Sequence, residues 1–326
     1  MMADRSRAPV LLVEYRSGET VYDPYREGAS LPVPVAPFPD LWEPPLERCA
    51  ARDWEQALAW VERRWRPGSV LVNADHLVSF AGLRAWAMRP PARRGLIVVD
   101  QHLDAYSLEH TQSALNKANF LRAALESGWI EALACVGVRA AEVALFEGRP
   151  ELVPELHRPY VTREHRAGVF GGLGDRVRLY PAAQYDLDAG LGAALGELAD
   201  RGVEELGLDL DLDAFDSGRI VGVDYNPDWS RRALDFVAGR IAAKRIAPAL
   251  EDWLVVLANI AFTRWEIGQV GLDPAGAGSA VARLLTAADQ RGLATPFRAI
   301  SEFEPAYDDG RSAELVGVLS AALGER

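Results

Sequence analysis

Residues 97–106, Ile-Val-Val-Asp-Gln-His-Leu-Asp-Ala-Tyr, form an apolar run that ends in Asp100, His102 and Asp104. Alternate side chains of an extended chain face the same way, so these three would converge at a strand's exit. Upstream, Val72-Asn73-Ala74-Asp75-His76 is a second strand running into a polar end, and His76 is the natural fourth ligand. Downstream, the stretch Leu208–Asp216 sets Asp209, Asp211 and Asp213 on one face, opposite Leu206, Leu208, Leu210 and Leu212. Three ionisable groups beside Val98 and Val99 are costly to bury without a cation, and neighbouring carboxylates repel. Oxygen and imidazole donors without thiolate suit a pair of divalent ions of the Mn²⁺ type. Such ions lower the pKa of water, so the chemistry implied is metal-dependent hydrolysis. An acidic edge strand is the competing reading of 209–213, and the apolar opposite face argues against it.

These residues must be positioned by the elements around them. Strands are expected at 8–14, 69–73, 95–99, 130–136, 176–180, 203–213, 253–260 and 297–303. Helices are expected at 53–65 with Asp53 as N-cap, 78–87, 111–126, 187–200, 230–244, 276–291 and 312–323. Residues 140–146 read as helix or loop, and 157–175, rich in Arg, His and Gly, as loop. Leu31–Pro45 reads as a proline-rich surface segment and Ser217–Trp229 as a turn-rich insertion. Strands separated by helices of ten or more residues imply parallel β-α-β units. The expected architecture is α/β, three layers around a doubly wound, mostly parallel sheet of about eight strands. Ligands in such sheets sit outside the carboxyl ends of the strands, where the acidic clusters fall. With no internal repeat and no linker, residues 1–326 read as a single domain.

Composition narrows the partners. Hydrophobic residues make up 49% and charged residues 25%, ordinary for a soluble globular chain, and no apolar run is long enough for a transmembrane helix. The polar start and the short apolar stretch after it do not make a secretory leader, so a cytoplasmic location is expected. A net charge of −12 argues against a nucleic-acid partner and favours a cationic substrate. Cys49 and Cys135 show no metal-ligand spacing and read as ordinary thiols. Gly168–Gly174 lacks the Lys-Ser/Thr of a phosphate cradle and reads as a lid or plain loop. Thr263–Glu266 reads as a charged loop.

Three blocks, Asn73-Ala74-Asp75-His76, Asp100-Gln101-His102-Leu103-Asp104 and Asp211-Leu212-Asp213-Ala214-Phe215-Asp216, resemble in order and spacing the motifs of the ureohydrolases: arginase, agmatinase and formiminoglutamase. A fourth, Ser301–Asp308, resembles the family's late Glu-x-Asn-Pro-x-x-Asp motif, with Glu304 where Asn is usual. The whole is also similar to a divergent branch that includes peptide arginases, which convert arginine in ribosomally made peptides to ornithine. The resemblance implies an arginase-like fold and two Mn²⁺ per chain. His76 would ligate the first ion and His102 the second, Asp100 and Asp211 would bridge, Asp104 would complete the first site and Asp213 the second. Asp104 would also orient the attacking water, Glu302 would hold the substrate guanidinium, and Asp209 would support the ligands from behind.

Two departures refine the expected substrate. The position that binds the free α-carboxylate in arginase is Tyr106 here, which disfavours free arginine. The family's proton-shuttle His would fall near Asn116-Lys117, where none stands, and His110 is the nearest candidate. The implied reaction turns peptidyl-arginine into peptidyl-ornithine and urea. The alternatives are hydrolysis of a small guanidine such as agmatine, a deacetylase related by fold, and a metal-binding accessory protein without turnover. A homo-oligomer is compatible with all of them.

Overall fold

The computed structural model describes residues 9–15, 46–107, 115–215, 271–303 and 310–324. Eight strands pair there into one sheet: β1 (Val10–Val13), β2 (Leu46–Cys49), β3 (Val70–Asn73), β4 (Arg94–Val99), β5 (Ala132–Val138), β6 (Val177–Pro181), β7 (Glu205–Asp211) and β8 (Ala294–Ser301). Their order across the sheet is β2-β1-β3-β8-β7-β4-β5-β6. Every pairing between them is parallel, so the expectation of a mostly parallel sheet is met with no antiparallel strand among the described residues.

Eight α-helices accompany them: α1 (Trp54–Arg64), α2 (Leu77–Ala87), α3 (Phe120–Glu126), α4 (Ala140–Glu147), α5 (Arg158–Ala167), α6 (Leu187–Asp200), α7 (Ala277–Gln290) and α8 (Arg311–Gly324). Two separate apolar clusters show how they layer. Val72, Ile97, Val99, Leu208, Leu210 and Ile300 pack with α6, α7 and α8. Their strand neighbours Leu71, Leu96, Val98, Cys135, Phe297 and Ala299 pack with residues of α1 to α5. The period-2 alternation of a strand buried on both faces produces this division, which is the reason these strands read as continuous apolar runs. Gly207 belongs to it: a Cβ there would stand 2.8 Å from both Leu96 and Trp86, so its absence lets the stacked Trp86–Phe297 pair lie against β7.

The topology creates the place for a site. The chain leaves β3 through α2 and enters β4 with a two-strand gap between them, filled later by β8 and β7. Strands β3, β8, β7 and β4 therefore lie side by side, with Asp211 beside Ser301 and Val98 beside Asp209. Their carboxyl ends open on the same edge, which is where a doubly wound sheet receives its ligands.

Several expected boundaries move. Residues 158–167 are helix, not loop: Pro159 sits in its first turn and Gly168 ends it in the left-handed conformation, so the start and stop signals outweighed a polar composition. Helix α3 begins at Phe120, and residues 115–119 of the expected helix before it lie outside it, with a turn through Asn116–Asn119; residues 111–114 lie outside the described residues. Strand β7 ends at Asp211, and residues 212–214 form a 3₁₀ turn, so Asp213 does not share the strand face of Asp209 and Asp211. Residues after Val99 likewise leave the extended conformation, so Asp100, His102 and Asp104 converge through a loop. Strand β2 was not expected; it is a four-residue edge strand with two charged residues, too short and polar to show periodicity. Segments 31–45, 217–229, 230–244, 253–260 and 263–266 lie outside the described residues. Cys49 and Cys135 are buried free thiols.

Candidate metal centre

His76 enters the site from the start of α2. Asp75 turns the chain there, its carboxylate accepting from the Leu77 amide at 3.0 Å and its carbonyl from Val78 at 2.9 Å. His76 is fully buried, with the Phe120 ring 4.7 Å from its own. Its Nδ1 faces carboxylate oxygens of Asp211 at 2.9 Å, Asp104 at 3.0 Å and Asp100 at 3.5 Å. Its Nε2 faces Asp209 at 3.3 Å. Asp209 is itself fixed, accepting 2.8 Å from the Ser301 hydroxyl, which also touches Ser79 at 3.1 Å. A carboxylate on the far nitrogen orients the ring and makes the near one a better donor to a cation.

A second group lies beside the first. His102 Nδ1 stands 3.0 Å from Asp213 and 3.7 Å from Asp100. The Gln101 amide donates to the same Asp213 oxygen at 2.6 Å. Asp100 accepts from the His102 amide at 2.6 Å and Asp211 from the Asp213 amide at 2.9 Å, so each loop is folded back onto the strand-end carboxylate before it. His102 is the more open of the two rings, its side chain about a quarter exposed.

Two residues hold unusual backbone. Asp104 has φ +45° and Glu302 φ +59°, the non-glycine residues in the left-handed region among those described. Such conformations cost of order 1–3 kcal/mol each and persist where surrounding contacts impose them. The Asp104 carbonyl accepts from Leu121, and Phe303, next to Glu302, donates to the Asn73 carbonyl at the end of β3. Glu302 is buried, and Lys117 Nζ lies 3.0 Å from its Oε1.

The electrostatics reveal a site short of positive charge. Burial, joined by the charges of Asp213, Asp104 and Asp211, pushes the Asp100 carboxyl well above the carboxylate range. Burial and the neighbouring Asp213 raise Asp211 to about 7. For the two imidazoles burial acts downward but is outweighed: Asp209 and Asp211 hold His76 well above its ordinary value, and Asp213 does the same for His102. Asp213 is held low against its own burial by His102, Gln101 and Arg139.

The residues present fit divalent cations. Ligand atoms of His76, Asp100 and Asp211 lie within 4.8 Å of one another, as do those of Asp100, His102 and Asp213. Each group could hold a metal ion, and Asp100 is common to both. Both ring nitrogens of His76 and buried oxygens of Asp100, Asp209 and Asp213 make no aligned hydrogen bond despite the close carboxylates. Buried polar atoms left this way suit a cation held among them. Oxygen and imidazole donors favour hard to borderline divalent ions.

Every expected ligand is brought to this edge: His76, Asp100, His102, Asp211 and Asp213 fall in these groups and Asp104 stands against His76, with Glu302 joining a third group beside Asp211 and Asp213. His110, Asp216, Glu304 and Asp308 lie outside the described residues. The Ser301–Ser79–Asn73 contacts behind Asp209 and the Lys117–Glu302 pair were missed, because they join residues more than 180 positions apart.

Residues 51–157 match the family model of the arginase family, a stretch that includes His76, Asp100, His102 and Asp104. Among curated proteins no sequence matches. Solved structures share the fold at low identity. Proclavaminate amidino hydrolase from Streptomyces clavuligerus superposes with a TM-score of 0.53 at 16% identity, covering 98% of this chain and 91% of that one. A hypothetical agmatinase from Burkholderia thailandensis and the formimidoylglutamase of Bacillus subtilis each give 0.53 at 17% identity, covering 98% of this chain and 86% of theirs. The family match over 51–157 and this shared fold support the resemblance to the ureohydrolase superfamily, and the three-layer α/β architecture is arginase-like.

Proposed function

We propose that the chain is a dinuclear Mn²⁺ hydrolase that cleaves a guanidinium group, converting peptidyl-arginine and water to peptidyl-ornithine and urea. The observation that carries this reading is the pair of adjoining histidine–carboxylate groups sharing Asp100 at the carboxyl edge of the sheet. His76, Asp100, Asp104 and Asp211 would hold the first ion, and His102, Asp100, Asp211 and Asp213 the second. Bound divalent ions supply the Lewis acidity that makes hydroxide accessible near neutral pH.

The remaining roles belong to the chain. Asp104, buried and strained, would accept a hydrogen bond from the attacking water and orient it. Glu302 would receive the substrate guanidinium as a charge-assisted acceptor. Tyr106 stands where the resemblance puts a carboxylate-binding Asn, and its hydroxyl is committed to Glu142 Oε1 at 2.8 Å. That leaves the position without a donor for a free α-carboxylate and supports an arginine already in amide linkage. His110 remains the candidate proton donor to the leaving amine. The chain would act as one catalytic domain in the cytoplasm; no helix among the described residues is long and apolar enough to cross a membrane.

Urea release by the Mn²⁺-loaded protein tests the reading on three substrates. Turnover of an arginyl peptide faster than free arginine supports it. Release from agmatine alone would favour the small-guanidine reading, and metal binding without urea from any substrate an accessory role.

A further inference from the structure

The proposed guanidinium receptor is already paired. Lys117 Nζ lies 3.0 Å from Glu302 Oε1, across 185 residues of sequence. The Glu302 side chain is about 5% exposed and that of Lys117 23%, so the pair is only partly screened by water. Nor is the lysine a loose surface group that happened to fold inward. It rides on a turn stitched by its own side chains, Asn119 Oδ1 accepting from the Asn116 amide at 2.9 Å and Asn116 Oδ1 from the Ala118 amide at 3.0 Å. That turn is fastened to the metal-side loop, where the Tyr106 amide donates to the Ala118 carbonyl at 3.0 Å and the Leu121 amide to the Asp104 carbonyl at 3.1 Å. Both partners thus start from built positions, Lys117 on an Asn-locked turn and Glu302 on a left-handed residue at the end of β8.

We propose that Lys117 is a counter-ion for Glu302, which an incoming guanidinium must displace or share, so that the lysine sets how readily the receptor is occupied. The inference rests on the reading of Glu302 as the guanidinium receptor. Two cations competing for one carboxylate repel each other, and the repulsion is felt by any ligand whose affinity comes from its charge alone. A small guanidine brings little else and binds weakly. A substrate that contacts the site along more of its length, as a peptide does, draws on other interactions to offset the displacement and still binds. Lys117 so raises the threshold for occupying Glu302 by the same factor for every guanidinium, and at low concentration only a ligand with contacts beyond that group clears it.

Calorimetric titration of the Mn²⁺-loaded full chain with guanidinium chloride tests this independently of turnover. Lys117→Met keeps the length and removes the charge, and should bind guanidinium at least about tenfold more tightly than the wild type. Lys117→Arg keeps the charge and should stay within about threefold of the wild type on the same basis. In a Glu302→Gln background the Lys117→Met gain should vanish, because the shared carboxylate is gone. Unchanged or weaker binding by Lys117→Met would overturn the proposal and make the lysine a residue that merely orders Glu302. Lys117→Gln is read by the same criterion if the methionine variant does not fold. Tighter guanidinium binding in a protein that releases no urea would keep the counter-ion and remove the hydrolase. Urea release with unchanged binding would do the reverse.

Discussion

At Asp211 fold and charge oppose each other. Burial and Asp213 raise its carboxyl to about 7 without metal, while an unfolded chain would titrate it near 3.9. The folded protein therefore keeps a proton that the unfolded one has lost, and between about pH 4 and 7 this group lowers stability as pH rises. His76 acts in the same sense: its raised value stabilises the fold fully below the ordinary histidine range and that contribution fades as pH climbs through the folded value. Denaturant unfolding of chelator-treated protein should thus show stability declining over this window, and saturating Mn²⁺ should abolish the decline by holding Asp211 ionised. A metal-free protein that gained stability across the same window, relative to the loaded one, would contradict the assignment. Glu302→Gln, which keeps size at a residue not proposed as a ligand, should leave metal content unchanged and cut kcat/KM on an arginyl peptide by at least about a hundredfold. At this scale the sequence was most legible where chemistry was crowded into short runs, as in Asp100-Gln101-His102-Leu103-Asp104. It was silent where partners meet only through topology, as Lys117 meets Glu302 and Ser301 meets Asp209.

Among the elements, the start of α3 ties two loops together through Arg122. Its buried guanidinium donates from Nε to the Ala105 and Tyr106 carbonyls, both at 3.0 Å, and from its terminal nitrogens to Gly171 at 3.0 Å and Val169 at 3.2 Å. One planar fork thereby ties the loop that follows Asp104 to the glycine-rich stretch after α5. That stretch, read from sequence as a lid or loop, is anchored further by the Ser107 amide on the Val169 carbonyl and by Phe170 lying 4.7 Å from the Tyr106 ring. Arg122→Leu strands several carbonyls at once and should destabilise the protein by about 3 kcal/mol or more in denaturant unfolding. Arg122→Lys keeps the charge without the fork and should recover only part of it. A leucine variant as stable as the wild type would show the clamp to be incidental. Helices with a clear apolar stripe or cap were legible close to their ends, as Asp53 before α1 and the full span of α6 show. Helix α5 was not, because its residues are mostly charged and only Pro159 and Gly168 marked its limits.

For the whole molecule, the sheet order explains why one edge gathers so many ionisable groups. Placing β8 and β7 between β3 and β4 brings residues near positions 76, 100, 211 and 302 together, and nothing in any one segment announces that neighbourhood. Parallel pairing could be inferred from helix-length connections, but strand order could not, since each crossover is locally alike. The order matters energetically, because a bound ion stabilises only the state in which these residues have met. Metal removal by a chelator should accordingly lower the thermal midpoint, and Mn²⁺ should restore it. The most direct test of the account is metal stoichiometry by elemental analysis after loading with Mn²⁺ and dialysis. The wild type should retain about two ions per chain, as a dinuclear hydrolytic site requires, and Asp211→Ala, which removes a carboxylate proposed to serve both ions, should lose most of them. A wild type that retains none, or an alanine variant that keeps the full complement, would contradict it.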